Sequence, residues 1–397
     1  MAKKSTVVES GSSLAYFKQM VKEIGDPDTH FISDGTSSAE FIGGTDTGSY
    51  ILNAALSGSL FGGAPNNKII GWAGDPATGK TFFVMGIAKR WLDDHKDGFL
   101  FYYDTEAAVT KSMMSDRGID TSRVIIVEPE TIQKFRHHAL KVIENYKKTK
   151  ESERPPMLMI LDSLGMLSSS KEIEDTNEGK DTKDMTKPGI IKATFRVLGL
   201  KLAKIGVNLH VTNHVYSIIG AYMPTKMMGG GSGLPYAASQ IVTLTKSKER
   251  DDEKNVTGNI ITCTMTKSRF TKENMKVKVR LSYDGGLDRY YGLLDLALDN
   301  NIVTKDGNRY VFPDGQKAFG KHIEESPEQY FTKDFLDILE KVVVGTFKYG
   351  TPDVLGGTPN PVEPQTDEIE ELTNEEVEEV EDDSDSVSVS GILGAKL

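Results

Sequence analysis

Eight consecutive residues carry the sharpest chemical signal in this sequence: Gly74-Asp75-Pro76-Ala77-Thr78-Gly79-Lys80-Thr81. Their spacing is GxxxxGK[ST]. They follow an apolar run, 68–73, that reads as a strand, and they open a stretch from Thr81 to Trp91 with helical spacing. In that setting the glycines let the backbone wrap an anion, and successive N–H groups point inward to donate to it. The helix N-terminus adds partial positive charge. Lys80 is then placed for the β- and γ-phosphates of a nucleoside triphosphate, and the Thr81 hydroxyl for Mg²⁺.

Three more groups stand where apolar runs end. Met157 to Leu161 runs straight into Asp162. A carboxylate at the carboxyl end of a buried strand lies where open α/β sheets bind ligands. Asp162 is expected to hold Mg²⁺ with Thr81, through water. Phe99 to Tyr103 ends in Asp104-Thr105-Glu106. A carboxylate there can orient and deprotonate a water attacking the γ-phosphorus, a role assigned to Glu106 with Asp104 in support. The competing reading makes Asp104 a helix N-cap and Glu106 a residue favoured by the helix dipole. Val211-Thr212-Asn213-His214 ends the next run. His214 suits a γ-phosphate sensor; a solitary histidine at a strand end also suits packing or capping. After it, residues 215–233 include Tyr216, Tyr222, Pro224, Lys226 and Gly229-Gly230-Gly231, the composition of a functional loop.

The elements that must position these residues alternate. Strands are expected at 68–73, 98–103, 123–127, 157–161 and 207–212, with helices at 81–91, 131–146 and 190–205 between them. Continuous apolar strands between helices imply an α/β fold with a largely parallel sheet covered on both faces. Runs at 241–245, 260–266 and 275–283, joined by turns, add an antiparallel extension. Asp306-Gly307 and Asp314-Gly315 are hairpin turn signals inside a small α+β lobe, 291–350. Residues 1–48 hold one amphipathic stretch, Leu14 to Ile24, stopped by Gly25. It reads as a surface helix or as one that docks on a neighbouring subunit. From 351 onward Pro, Gly, Ser, Asp and Glu dominate, and a disordered acidic tail is expected. The division is thus 1–48, 49–290, 291–350 and 351–397.

Composition narrows the classes. The chain has 397 residues and one cysteine, Cys263, which excludes a disulfide framework and a cysteine zinc site. A reducing compartment follows as the default. No run approaches ~18 consecutive apolar residues, and the N-terminus has two lysines but no apolar stretch behind them. A soluble cytoplasmic protein with no membrane partner is expected. The net charge of −11 belongs to one segment: Glu363 to Asp385 holds 13 acids and no base, which leaves the residues before it near +1. A polyanionic partner is therefore allowed. The tail itself reads as a solubilising extension or as a tethered competitor for the site of such a polyanion.

In this order and spacing the motifs resemble the RecA-type recombinases, most closely the UvsX-type recombinases of tailed phages. The likeness runs from about Ser49 to Lys348. It takes in the phosphate loop, Tyr103-Asp104-Thr105-Glu106, Leu161-Asp162-Ser163-Leu164-Gly165, Thr212-Asn213-His214, Met228-Gly229-Gly230-Gly231 and Thr266-Lys267-Ser268-Arg269. Asp284-Gly285-Gly286-Leu287-Asp288 and Tyr291-Gly292-Leu293-Leu294-Asp295 are similar too. The resemblance implies a RecA-like P-loop ATPase core. It also implies ATP and Mg²⁺ as cofactors, and a filament on single-stranded DNA that pairs it with homologous duplex and exchanges strands. Glu106 falls on the family's catalytic glutamate and His214 on its switch position. Lys267 and Arg269 fall on a basic pair that reaches a neighbour's ATP and act with Lys80 in catalysis. The first DNA loop matches 168–187, with Lys171, Lys180, Lys183 and Lys187. The second matches 216–233, with Tyr216, Lys226, Gly229, Gly230 and Gly231. A single-strand-binding protein, a recombination mediator and the cytoplasm of a phage-infected host come with the resemblance.

Two departures stand out. From Lys171 to Lys187 there are four lysines against six acids. Seven residues after Glu106, where the family often stacks a tyrosine on adenine, this chain has Met113, whose thioether can still pack on a purine face. Two other classes share parts of the pattern: a RecA-fold helicase or DNA-translocating motor, and a regulator that uses ATP only to oligomerise.

Overall fold

The computed structural model describes residues 10–26, 28–34, 41, 43–180, 184–217, 226–251 and 253–350. The acidic tail expected over 351–397, and Lys183, lie outside the described residues. The chain opens with α1 (Ser10–Ile24), β1 (Gly44–Thr45), α2 (Tyr50–Ser57), β2 (Ala64–Pro65), β3 (Ile69–Gly74), α3 (Lys80–Asp94) and β4 (Phe99–Asp104). It continues through α4 (Lys111–Ser115), β5 (Val124–Val127), α5 (Ile132–Lys148), β6 (Met157–Asp162), α6 (Ser170–Asn177) and α7 (Lys187–Lys204). Next come β7 (Asn208–Ser217), β8 (Lys226–Met228), α8 (Gly233–Ala237), β9 (Gln240–Arg250), β10 (Val256–Ser268), β11 (Lys276–Ser282) and β12 (Gly286–Leu287). The described chain closes with α9 (Leu293–Asp299), β13 (Thr304–Asp306), β14 (Arg309–Val311), β15 (Lys317–Phe319), α10 (Gly320–Glu325), α11 (Pro327–Tyr330) and α12 (Lys333–Phe347).

The main sheet runs β12-β11-β10-β9-β3-β7-β6-β4-β5. From β9 to β5 neighbouring strands are parallel; from β9 to β12 they are antiparallel. This is the largely parallel sheet with an antiparallel extension expected from the alternation. Side chains alternate across it, as strand geometry requires. Ile70, Trp72, Leu158 and Ile160 face a core shared with α2 and α3, while Ile69, Ala73, Met159 and Leu161 face a second core with α5 and α7. Both faces are buried, so the strands read as apolar runs rather than alternating ones.

Trp72 stacks on Phe83 with ring centroids 5.7 Å apart, and both are buried. Burying a ring such as Phe83 contributes about 1.5–3 kcal/mol, and the pair fixes α3 against β3 on either side of the phosphate loop. Residues 293–347 join the same core: Leu293, Phe312, Phe335 and Leu339 cluster with Ile51 and Val279. The two hairpin turns expected there join β13 to β14 and β14 to β15.

Two segments hold more regular structure than their composition suggested. The fifth strand, expected to end at Thr212, continues to Ser217 and pairs with β8, Val215 opposite Met228. The alternation of β-branched and aromatic residues through Val215 and Tyr216 sustains it. The segment 168–187 contains α6, started by a reciprocal capping box between Ser169 and Glu172.

Candidate active site and nucleic-acid interface

β3 lies between β7 and β9 with its carboxyl end at Gly74. The loop that follows is tight. A Cβ added at Gly74 would lie 2.6 Å from Thr78 Oγ1 and 2.8 Å from the Leu244 carbonyl oxygen. Gly79 has φ +94°, and Ala77 also adopts a positive φ of +58°, a conformation that costs a non-glycine residue energy and concentrates at ligand clamps. Lys80 Nζ donates to the Gly74 and Asp75 carbonyl oxygens at 3.1 and 3.0 Å. Burial lowers the Lys80 pKa, and Glu106, Asp162 and Asp75 oppose that shift. A cradle closed to side chains, a buried ammonium and a helix N-terminus fit a polyphosphate.

The Thr81 hydroxyl donates to Asp162 Oδ2 at 2.8 Å. Two hard oxygen donors this close suit Mg²⁺, which keeps waters and takes its other ligands from phosphates. Among the described residues there is no cluster of three or more His, Cys, Asp or Glu able to cage a metal alone. Asp162 is 5 % exposed, and its carboxylate also accepts from Tyr102 Oη at 2.6 Å and from the Thr212 hydroxyl. Burial, then the Asp162 charge, pushes the Tyr102 phenol far above its ordinary range, so it stays a donor.

Glu106 stands across the cleft. Its Oε1 accepts from Ser163 Oγ at 2.7 Å and lies 3.1 Å from His214 Nε2. His214 Nδ1 is 3.5 Å from Lys80 Nζ. An imidazole with its proton on Nε2 satisfies both neighbours, the tautomer being assigned from these contacts. Burial alone would raise the Glu106 carboxyl; Ser163, then His214 and Lys80, outweigh it and hold it below the usual glutamate range. Asp104 accepts from the Glu106 and Val109 backbone N–H groups, both at 3.0 Å. No helix begins there, since α4 starts at Lys111. Asp104 instead fixes the turn that carries Glu106. Met113 is half-buried on α4 and packs on the core.

His214 is tied to the second loop by its own backbone. Gly229 N–H donates to the His214 carbonyl at 3.0 Å, Asn213 Nδ2 donates to the Gly229 carbonyl at 2.9 Å, and His214 N–H donates to Asn213 Oδ1 at 2.9 Å. The glycines allow close approach. A Cβ on Gly229 would meet the Tyr216 ring at 2.9 Å, one on Gly230 the Ile191 side chain at 2.8 Å, and one on Gly231 Pro188 at 3.1 Å. Residues 230 and 231 are therefore packed on the first turns of α7, where the first loop ends. Tyr216 is exposed. Lys226 takes part in the ladder opposite Ser217, and its side chain lies outside the described residues.

The three described lysines of the first loop pair with that loop's own acids. Lys171 pairs with Asp175 at 2.7 Å, Lys187 with Glu172 at 2.9 Å, and Lys180 with Glu178. Asp184 accepts from Ser169 and Thr186, in that order the causes that hold its carboxyl down at about 2. That bond joins the two ends of the loop.

Lys267 and Arg269 are elsewhere. Lys267 pairs with Ile241, which pairs with Gly71; the Arg269 backbone bonds Ser239, which bonds Ile69. At about 3.3 Å per residue they lie roughly 10 and 17 Å back along β3 from Gly74, toward the opposite end of the sheet. Lys267 Nζ donates to the Pro235 carbonyl at 2.6 Å. Arg269, Lys68 and Arg196 line a cleft of ≈ 540 Å³ with Tyr236 and Phe270. Burial, then Arg269, lowers the pKa of both Lys68 and Lys267.

Sequence reasoning brought Lys80, Thr81, Glu106, Asp162 and His214 to one rim, and the structure brings them together. It missed Tyr102, Ser163 and Thr212 as contributors. Period-two alternation alone could have placed Tyr102 on the face of Asp104, two residues on; nothing local signals the Ser163–Glu106 bond.

A family model described as the RecA N-terminal domain matches residues 15–288. Over 258 residues the chain is 29% identical to the recombination and repair protein of Enterobacteria phage T4, covering 65% of this chain and 64% of that protein. It is 23% identical over 290 residues to protein RecA of Malacoplasma penetrans, covering 72% of this chain and 84% of that one. To protein RecA of Paracoccus denitrificans it is 23% identical over 299 residues, covering 75% and 79%. The chain thus spans less than two thirds of the length of the phage T4 protein. No helix among the described residues is long and apolar enough to cross a membrane.

Proposed function

The chain belongs to the RecA family, and on that premise we propose that it is an ATP-dependent DNA recombinase. It assembles as a filament on single-stranded DNA, hydrolyses ATP where neighbouring copies meet, and pairs the bound strand with homologous duplex for strand exchange. One observation carries the reading. The phosphate loop, Glu106 and Asp162 occupy one end of the parallel sheet, while Lys267 and Arg269 lie toward the other. A basic pair that cannot reach its own chain's site suits one that completes a neighbour's. The exposed apolar residues of α1, Leu14, Tyr16 and Phe17, support the reading of 1–48 as an assembly segment ahead of a core over 49–290 and a small lobe over 291–350.

In this mechanism the loop amides of 74–81 and Lys80 bind the triphosphate. Thr81 and Asp162 hold Mg²⁺, which when bound offsets the phosphate charge. Glu106, kept ionised by Ser163 and His214, takes the proton of the attacking water. His214 sits between Glu106, Lys80 and the Gly229 hairpin, so a phosphate that draws Lys80 away also loads the second loop. Met113 packs toward the base. In the first loop, DNA phosphates replace the carboxylate partners of Lys171, Lys180 and Lys187, and Lys183 lies in the same segment. Tyr216, Lys226 and the glycine backbone of 229–231 serve the second loop. A single-strand-binding protein, a mediator and the cytoplasm of a phage-infected bacterium belong to this reading through the family resemblance.

The deciding experiment is ATPase with and without single-stranded DNA, joined to electron microscopy and a strand-exchange assay. Stimulation, filaments and joint molecules are expected. Processive unwinding without strand exchange overturns the reading in favour of a motor, and DNA-independent turnover in favour of a regulator.

A further inference from the structure

We infer that Tyr102 is a positioning residue for the cation-holding carboxylate: its buried hydroxyl, with that of Thr212, locks Asp162 in the orientation that Thr81 and Mg²⁺ use. This rests on the ATPase reading above and goes beyond it to the strands on either side of the site. β4 and β7 flank β6, with Tyr102 opposite Ile160 and Asp104 opposite Asp162 on one side, and Leu161 opposite Val211 on the other. Each neighbouring strand sends one hydroxyl to the carboxylate, Tyr102 to Oδ2 and Thr212 to Oδ1.

The Tyr102 side chain is fully buried in the core with Leu100 and Ile160. Packing at that position needs a ring; it does not need an oxygen. A buried hydroxyl costs stability unless it is bonded, and Asp162 is the partner that this one has. Thr81 can give its proton to Asp162 and still turn oxygen lone pairs to a cation. Tyr102 and Thr212 have no second duty there. They leave the carboxylate no freedom to rotate, which is how partners behind a ligand set its affinity.

The test uses the full chain and Tyr102→Phe, which removes one oxygen and keeps the ring. Mn²⁺ binding is measured by electron paramagnetic resonance in the presence of a non-hydrolysable ATP analogue, beside the Mg²⁺ concentration that half-saturates DNA-stimulated ATPase. Cation affinity should weaken about 10-fold in both. Binding of the analogue in EDTA should match wild type, and kcat at saturating Mg²⁺ should largely recover. Thr212→Val, nearly isosteric, should move the cation affinity the same way and Thr212→Ser should restore it, which tests the lock whether or not Tyr102→Phe folds. Unmoved cation affinity in Tyr102→Phe, or in Thr212→Val where Tyr102→Phe does not fold, overturns the assignment alone. A wild-type chain with no nucleotide-dependent Mn²⁺ binding overturns the ATPase reading and this assignment with it.

Discussion

The two ends of the parallel sheet differ in how their charges are balanced. At the carboxyl end, Lys80, Glu106, Asp162 and His214 share one rim, and each is hydrogen-bonded within the same chain: Lys80 to backbone carbonyls, Asp162 to Thr81, and Glu106 to Ser163 and His214. At the other end, Lys68 and Lys267 crowd Arg269, which lowers the pKa of both lysines after burial has. A site of opposite charges is organised before any ligand arrives. Like charges favour an added anion, and in the proposed assembly the neighbour's triphosphate would supply one. In that reading, self-assembly and catalysis are one event.

The sharpest way to break this comparison is to remove the outward-facing pair. Lys267→Ala/Arg269→Ala should lower DNA-stimulated kcat by about 10³-fold or more, the worth of a cation supplied in trans. Mixed with Glu106→Gln subunits it should regain activity, since some junctions join an intact basic end to an intact catalytic end. Absence of rescue in mixtures shown to co-assemble would refute the trans role.

Glu106→Gln alone tests the inward-facing end. Turnover should fall by roughly 10²–10⁴-fold, while ATP binding and filament assembly persist; near-normal kcat would remove Glu106 from the role of base.

Next in size is the link from the rim to the DNA loop. His214→Ala should shrink the factor by which an ATP analogue tightens single-stranded DNA binding. Such couplings are typically ~1–3 kcal/mol, about 5–150-fold. Equal factors in mutant and wild type, measured by anisotropy, would leave His214 a packing residue.

The smallest expected effect is on pH. Glu106 is held below its ordinary range, so it stays ionised as pH falls until below the usual glutamate titration. The acid limb of wild-type kcat/KM should therefore not rise into that range because of Glu106. Ser163→Ala removes a bond that favours the charged form, and should shift the limb upward by about half to one pH unit, the size of a lost hydrogen bond of ~1 kcal/mol. A limb that stays in place would show that Ser163 does not tune Glu106.

Much of this was readable along the chain. The phosphate loop is local: eight consecutive residues, a preceding strand and a following helix suffice, because the anion is bound by backbone of one turn. Glu106, Asp162 and His214 were readable as strand ends, since parallel strands covered on both faces deliver their carboxyl ends to one rim. The fold class followed from the same alternation. The second loop was read as irregular because its glycines outweighed its alternation, and they turned out to serve close packing on Ile191 and Pro188 beside a continuing strand.

By itself, then, the sequence determined which polar residues end the strands and which end of the sheet they share, because both depend on short-range pattern. Only the tertiary structure decided who holds them. Tyr102 and Thr212 reach Asp162 from two different strands, and Ser163 restrains Glu106 across 57 residues of chain. Lys267 and Arg269 fall toward the opposite end of the sheet through the register of β10 on β9 and of β9 on β3. Hydrogen bonds and like-charge crowding act over a few ångströms of space, and sequence spacing carries no record of which distant residues the sheet brings that close.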